Sequence, residues 1–194
     1  ADNNGVGDFY YSPPSGFLAL CSKNLDTPAI IDGSENFNPV TYAGNGGTQS
    51  ISGLGFSPDF TWIKVRNEVN SHYLFDTIRG ADQALFSDAT STETDYSSTG
   101  RMTSFDSDGF TLPSGSGSTG TNASGDTYVG WNWLAGTAFS NDASATGVGT
   151  IDSSGQVNAT AGFSIVSYTG TGSAGTIAHG LSAAPEMLIV KNRD

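Results

Sequence analysis

Two carboxylates stand two residues apart in Asp106-Ser107-Asp108-Gly109. Oxygen ligands at that spacing suit a hard cation such as Ca²⁺, which makes Asp106 and Asp108 the candidate metal ligands. The run lacks the later Glu of an EF-hand loop. The competing reading is a hairpin turn, in which Asp accepts backbone N–H bonds and Gly turns the chain. His72 and His179 are the two histidines; they occupy non-equivalent positions of the internal repeat described below, so no shared metal or catalytic site is expected of them. Gly115-Ser116-Gly117 places a serine between glycines, but no helix follows to make a nucleophile elbow. Carboxylate pairs for glycoside hydrolysis are recognised by their separation in space, and nothing in the sequence selects one. No catalytic residue and no cofactor is therefore expected. Cys21, the single cysteine, excludes an intrachain disulfide and reads as a small buried hydrophobe.

The aromatic residues carry the remaining chemistry. Trp62, Trp131 and Trp133, with Tyr42, Tyr73 and Tyr128, are of the type that stacks on sugar rings, and also of the type that fills cores. Along Asp126–Leu134, alternation puts Tyr128, Gly130 and Asn132 on one face and Val129, Trp131 and Trp133 on the other. The second face is the more apolar and reads as core. That leaves Tyr128 and Asn132, with Tyr42, as the candidate ligand-binding residues.

The elements that must position these residues are strands. Helix formers at 3.6-residue spacing are absent for most of the chain, whereas short apolar runs closed by Gly/Ser/Asn/Asp clusters recur. Strands are expected over Phe17–Cys21, Asn38–Tyr42, Gln49–Ser52, Asp59–Arg66, His72–Asp76, Met102–Phe105, Phe110–Leu112 and Asp126–Leu134. In Asp59–Arg66, Phe60, Trp62 and Lys64 share one face and Thr61, Ile63 and Val65 the other. Met102–Phe105 and Phe110–Leu112 make a hairpin. The one helical candidate is Asp76–Arg79, with an Asp76–Arg79 ion pair three residues apart, or Asp82–Leu85. The expected fold class is all-β, an antiparallel β-sandwich or jelly-roll-like module in a tandem array with at most one short helix.

Composition removes several functions. Lys and Arg number 7 against 19 Asp and Glu, a net charge of −12, in a chain of 194 residues with 26 Gly. Seven dispersed cations make no phosphate-binding stripe, so no nucleic-acid partner is expected. No apolar run approaches the roughly 18 residues of a spanning helix, so no membrane insertion is expected.

The most informative feature is self-similarity. Phe37-Asn38-Pro39-Val40-Thr41-Tyr42-Ala43-Gly44 recurs as Phe163-Ser164-Ile165-Val166-Ser167-Tyr168-Thr169-Gly170. Ser57-Pro58-Asp59-Phe60-Thr61-Trp62-Ile63-Lys64 recurs as Ala184-Pro185-Glu186-Met187-Leu188-Ile189-Val190-Lys191. The period exceeds the 20–50 residues of solenoids, which implies tandem domains. The expected organisation is the end of a preceding β-module and a connector over 1–36, a complete sandwich over 37–137 and a linker over 138–160. A second, truncated copy follows over 161–194, and the chain reads as a piece of a longer polypeptide.

Four motifs carry a family resemblance: Gly53-Leu54-Gly55-Phe56-Ser57-Pro58-Asp59-Phe60-Thr61-Trp62-Ile63-Lys64, Phe75-Asp76-Thr77-Ile78-Arg79-Gly80-Ala81, Ser104-Phe105-Asp106-Ser107-Asp108-Gly109-Phe110-Thr111-Leu112 and Tyr128-Val129-Gly130-Trp131-Asn132-Trp133-Leu134-Ala135-Gly136. In this order they resemble a repeated β-domain of tailed-phage virion proteins of the marine-phage type. The stretch from Gly7 to Cys21 resembles the end of a SPRY-like, concanavalin-type module. The resemblance implies a non-enzymatic structural and adhesive module of a virion appendage (tail fibre, tail or capsid-attached protein). It further implies other virion subunits as partners, a homo-oligomer such as a trimer, and a host-surface glycan as ligand. The alternatives are a bacterial extracellular adhesin or carbohydrate-binding module and, behind it, a polysaccharide depolymerase.

Overall fold

A computed structural model describes residues 1–115 and 119–194; Ser116 and Gly117 of the serine-glycine loop lie outside the described residues. The chain forms two compact units, Ala1–Ile31 and Asp32–Asp194. The division falls between Ile31 and Asp32 rather than after residue 36.

The first unit is built from turns and one 3₁₀ turn, Ser22–Asn24. Its organising group is the Asp2 carboxylate, which accepts from the backbone N–H of Asn4, Val6 and Ala19 and from Asn24 Nδ2. The Ala19 N–H above all, against the opposing effect of burial, brings the Asp2 carboxyl down to about 2. The strand expected over Phe17–Cys21 is not formed. The Ala19 N–H that a ladder would use goes to Asp2, and Phe17 and Leu20 point to solvent. Cys21 is half-buried, not fully inside, and stands at the N-terminal end of the 3₁₀ turn.

The second unit is all β. Among its described residues are twelve strands: β1 (Phe37–Ala43), β2 (Gln49–Ser52), β3 (Phe60–Val65), β4 (Tyr73–Asp76), β5 (Gly80–Phe86), β6 (Thr94–Asp95), β7 (Ser104–Asp106), β8 (Gly109–Leu112), β9 (Thr127–Trp133), β10 (Thr137–Asn141), β11 (Ser153–Asn158) and β12 (Phe163–Tyr168). One α-helical turn, α1 (Ala143–Thr146), is capped by the Asp142 carboxylate. The strands form three antiparallel sheets, ordered β1-β9-β3-β4-β5-β6, β2-β8-β7 and β10-β11-β12.

Register gives each face of the six-stranded sheet a clear set of rows. On the inner face Val40, Gly130, Ile63 and Tyr73 lie side by side, as do Asn38, Asn132, Thr61 and Phe75, and Tyr42, Tyr128 and Val65. These rows pack against Ile51, Phe110 and Leu112 of the β2-β8-β7 sheet, closed at the rim by Leu54, Phe56 and Met102. Each large apolar side chain fully buried there contributes about 1.5–3 kcal/mol. Phe110 packs directly over Gly130, where a Cβ would stand in van der Waals contact, 3.4 Å from its ring.

Three further expectations change. Asp76–Arg79 is a tight turn and 80–86 is a strand, so neither helical candidate forms. The Asp76 carboxylate accepts from the N–H of Ile78 and Arg79, which closes a β-turn and feeds the chain back into β5. The Asp76–Arg79 ion pair is present at 2.6 Å, ordering that turn and not a helix. The segment 138–160, poor in large apolar residues, is no linker: it carries β10, α1 and β11. Tight backbone packing makes up for the missing side chains, since a Cβ on Gly155 would meet the Ile165 carbonyl oxygen at 2.0 Å. The six-stranded sheet ends in β1, which contains Pro39, and in the two-residue β6.

The segment that matches β1 in sequence forms β12, which pairs with β11; the segment matching β3 has no strand neighbours, and Met187, Leu188, Ile189 and Val190 are exposed. The chain beyond them is tied back by Arg193, which pairs with Glu93 at 2.6 Å, and by Lys191 Nζ, which donates to the Ser91 carbonyl.

Candidate functional site

The outer face of the six-stranded sheet carries the second set of rows. Phe37, Trp133, Phe60 and Asp76 form one; Pro39, Trp131, Trp62 and Leu74 the next; Thr41, Val129 and Lys64 the third. The first row is covered by β12. Phe163 stacks on Trp133 at 5.8 Å and approaches Phe60 at 6.2 Å, and Phe37 closes the cluster at 4.7 Å from Trp133. The middle of the face holds Trp62 and Trp131 edge to face at 6.0 Å and 76°, both half-buried. Trp62 Nε1 donates to His72 Nδ1 at 2.9 Å, which locks the indole and holds that imidazole nitrogen as an acceptor. Pro39 and Thr41 beside them are exposed.

Electrostatically this face is quiet. Lys64 is folded back, its Nζ donating to the Val65 carbonyl at 2.7 Å and to that of Glu68 at 3.3 Å. Asp76, at the far end of the first row, is consumed by Arg79. In a chain of net charge −12, the two tryptophans thus present a ring face and a ring edge with no carboxylate among their row neighbours. Such a surface takes the apolar face of a flat ligand, a pyranose ring or an aliphatic side chain, by CH and dispersion contact.

The expected ligand-binding residues lie elsewhere. Tyr128 and Asn132 are completely buried on the inner face, the reverse of the expected orientation of β9. Asn132 accepts from the Thr61 hydroxyl at 3.0 Å and donates to the carbonyls of Asn38 and Gly130. The Tyr128 hydroxyl accepts from the Ala123 N–H and donates to Asp126. Tyr42 stacks on Tyr128 at 5.1 Å and donates to the Thr121 carbonyl. Burial pushes both phenols up, Tyr42 the further. Tyr128 and Asn132 are closed to an external ring, and Tyr42 is half-buried with its ring face on Tyr128. The polar ends of Asn132 are satisfied inside the sheet, so its burial costs little, while the tryptophans on the other face are shared between the β12 contact and solvent.

The two aspartates of the 106–109 turn hold the chain. Asp108 accepts from the N–H of Gly55 at 2.6 Å and of Gly53 at 3.0 Å, which keep its carboxyl below the ordinary value. Asp106 accepts from the hydroxyls of Ser104 and Thr111. The geometry is that of the turn reading, and among the described residues no three His, Cys, Asp or Glu side chains converge on a metal-sized site. His72 and His179 are used separately, His179 Nδ1 accepting from the Leu181 N–H.

The signal for the outer face was present in β3. Lys64 shares a face with Trp62, and a lysine marks the solvent side of a strand; antiparallel pairing then places Trp131 beside Trp62 on that same side.

A family model described as a domain of unknown function, DUF7483, matches residues 32–194. No curated protein and no solved structure matches the chain.

Proposed function

Starting from the membership of this chain in the DUF7483 family of domains of unknown function, we propose that it is a non-catalytic adhesive module of a bacteriophage virion appendage that holds a host-surface glycan on its outer sheet face. The observation that carries the adhesive reading is the Trp62–Trp131 pair, left open on a face where an antiparallel sheet facing water would carry polar side chains. The phage context rests on the order of the four sequence motifs over the same domain. Binding at a single flat platform is weak and becomes effective when many copies are displayed together. Homo-oligomerisation and assembly with other virion subunits would supply that multiplicity.

A glycan array probed with the protein clustered on a multivalent bead tests the reading. Binding of a subset of glycans by the wild type is expected, with a loss of at least tenfold for Trp62→Ala and for Trp131→Ala. Absence of binding by the wild type, or equal binding by both variants, overturns it.

A further inference from the structure

Asp59 is a buried carboxylate that neither the fold class nor the binding face requires. It precedes β3, and its surroundings are unusual. Its Oδ2 accepts from the backbone N–H of Ala135 at 2.8 Å and of Gly136 at 2.7 Å, which fixes the carboxylate plane. Its Oδ1 then faces two side chains from different sheets. Thr77 Oγ1, at the turn after β4, lies 3.2 Å away; Gln156 Nε2, on β11, donates to it at 3.1 Å. The Thr77 hydroxyl and Gln156 Oε1 are in direct hydrogen-bond contact with each other. The Thr77 backbone is pinned as well, its N–H donating to the Asp59 carbonyl at 3.0 Å.

A hydroxyl, a carboxamide and a buried base that touches both are the parts of an acyl transfer. We propose that Thr77 and Gln156 form an intramolecular ester, with Asp59 as the proton carrier. Thr77 Oγ attacks Gln156 Cδ while Asp59 Oδ1 takes the hydroxyl proton. The Cδ–Nε2 bond then breaks as Asp59 returns that proton to the departing nitrogen, and ammonia leaves. One C–O bond forms, one C–N bond breaks, Asp59 ends as it began, and no oxidant, metal or cofactor is needed. Two features favour the reaction over hydrolysis. The nucleophile is held against the amide, which replaces a bimolecular encounter, and the base is shielded from bulk water.

The ester would join the turn after β4 in the sandwich to β11 in the small three-stranded sheet. That sheet has few buried side chains of its own and rests on the sandwich through Phe163. A covalent tie at this point would keep it from peeling away under load.

Intact-mass spectrometry of the folded, then denatured, protein decides the matter. Loss of one ammonia relative to the sequence, about 17 Da, is expected for the wild type. Tryptic digestion should yield the peptide 67–79 linked to the peptide 102–191, with the junction at Thr77 and Gln156. Thr77→Val and Gln156→Glu should both appear at the full sequence mass. A folded wild type at full sequence mass, a mass deficit that persists in Thr77→Val, or a deficit without the linked peptide each overturns the proposal. The wild-type peptide map stands even where a variant does not fold.

Discussion

Replacing Asn132 by Ala removes the centre of the buried polar row Asn38–Asn132–Thr61 and should be among the more damaging single changes in the sandwich. The side chain is fully buried, as is Thr61. Without the carboxamide the Thr61 hydroxyl loses its 3.0 Å acceptor in a place water does not reach, which costs about 1–3 kcal/mol. The space vacated by three heavy atoms adds about 1 kcal/mol of cavity cost. The Asn38 carbonyl, on the half-buried edge strand, can turn to water and adds little. The sum is about 3 kcal/mol, a shift of about 1.5 M in the urea midpoint for a slope of about 2 kcal/mol per M. Tryptophan fluorescence is the natural probe, since Trp131 and Trp133 flank the mutated residue. The cycle with Thr61→Val isolates the pair. Thr61→Val removes the orphaned hydroxyl, so Thr61→Val/Asn132→Ala should be less damaged than the two single effects combined, by about 1 kcal/mol or more. A midpoint for Asn132→Ala within about 0.3 M of wild type, or strict additivity in the cycle, would refute the idea that this row is a satisfied buried network.

Two other expectations follow from the 106–109 hairpin. The Gly55 and Gly53 N–H groups hold the Asp108 carboxyl below its ordinary 3.8, so the stabilisation is fully present above about 3.8 and fades as pH falls through the lower folded value. Asp108→Asn should therefore flatten the acid limb of a stability-against-pH curve and leave its neutral-to-alkaline shape alone; an unchanged acid limb would count against it. Gly109→Ala places a methyl carbon 1.8 Å from the Ile51 carbonyl oxygen, across the β2–β8 pair. It should cost about 3 kcal/mol, read as a fall in the urea midpoint, and a wild-type midpoint would show that the two strands do not approach so closely.

How much of this was legible in the sequence differs from element to element. The strands of the sandwich that alternate strongly, β1, β3 and β9, and the β7–β8 hairpin lie where patterning places them. β5 and β6 are not legible, because Gly80-Ala81-Asp82-Gln83 has little strand propensity and the register of β5 comes from pairing with β4. β10 and β11 were hidden by composition, since their stability rests on close backbone packing around glycine and on Phe139, Phe163 and their neighbours, not on long apolar runs. β9 departs furthest from its pattern: hydrophobicity ranks the tryptophan face as core, whereas Tyr128 and Asn132 are the buried pair. The deciding fact is contextual: Asn132 finds its partners on the strands either side, Thr61 of β3 and Asn38 of β1. Lys64 on the same face as Trp62 was the one local clue to the candidate site.

The two ends of the six-stranded sheet have a colloidal consequence. A free strand edge is a template on which a neighbouring chain can add, and crowding raises that hazard. Here β1 carries Pro39, which offers no N–H to a newcomer, and β6 is only two residues long. Both edges are therefore poor seeds for intermolecular pairing. Copies packed densely on a surface could come into contact face to face or through their loops without joining their six-stranded sheets edge to edge.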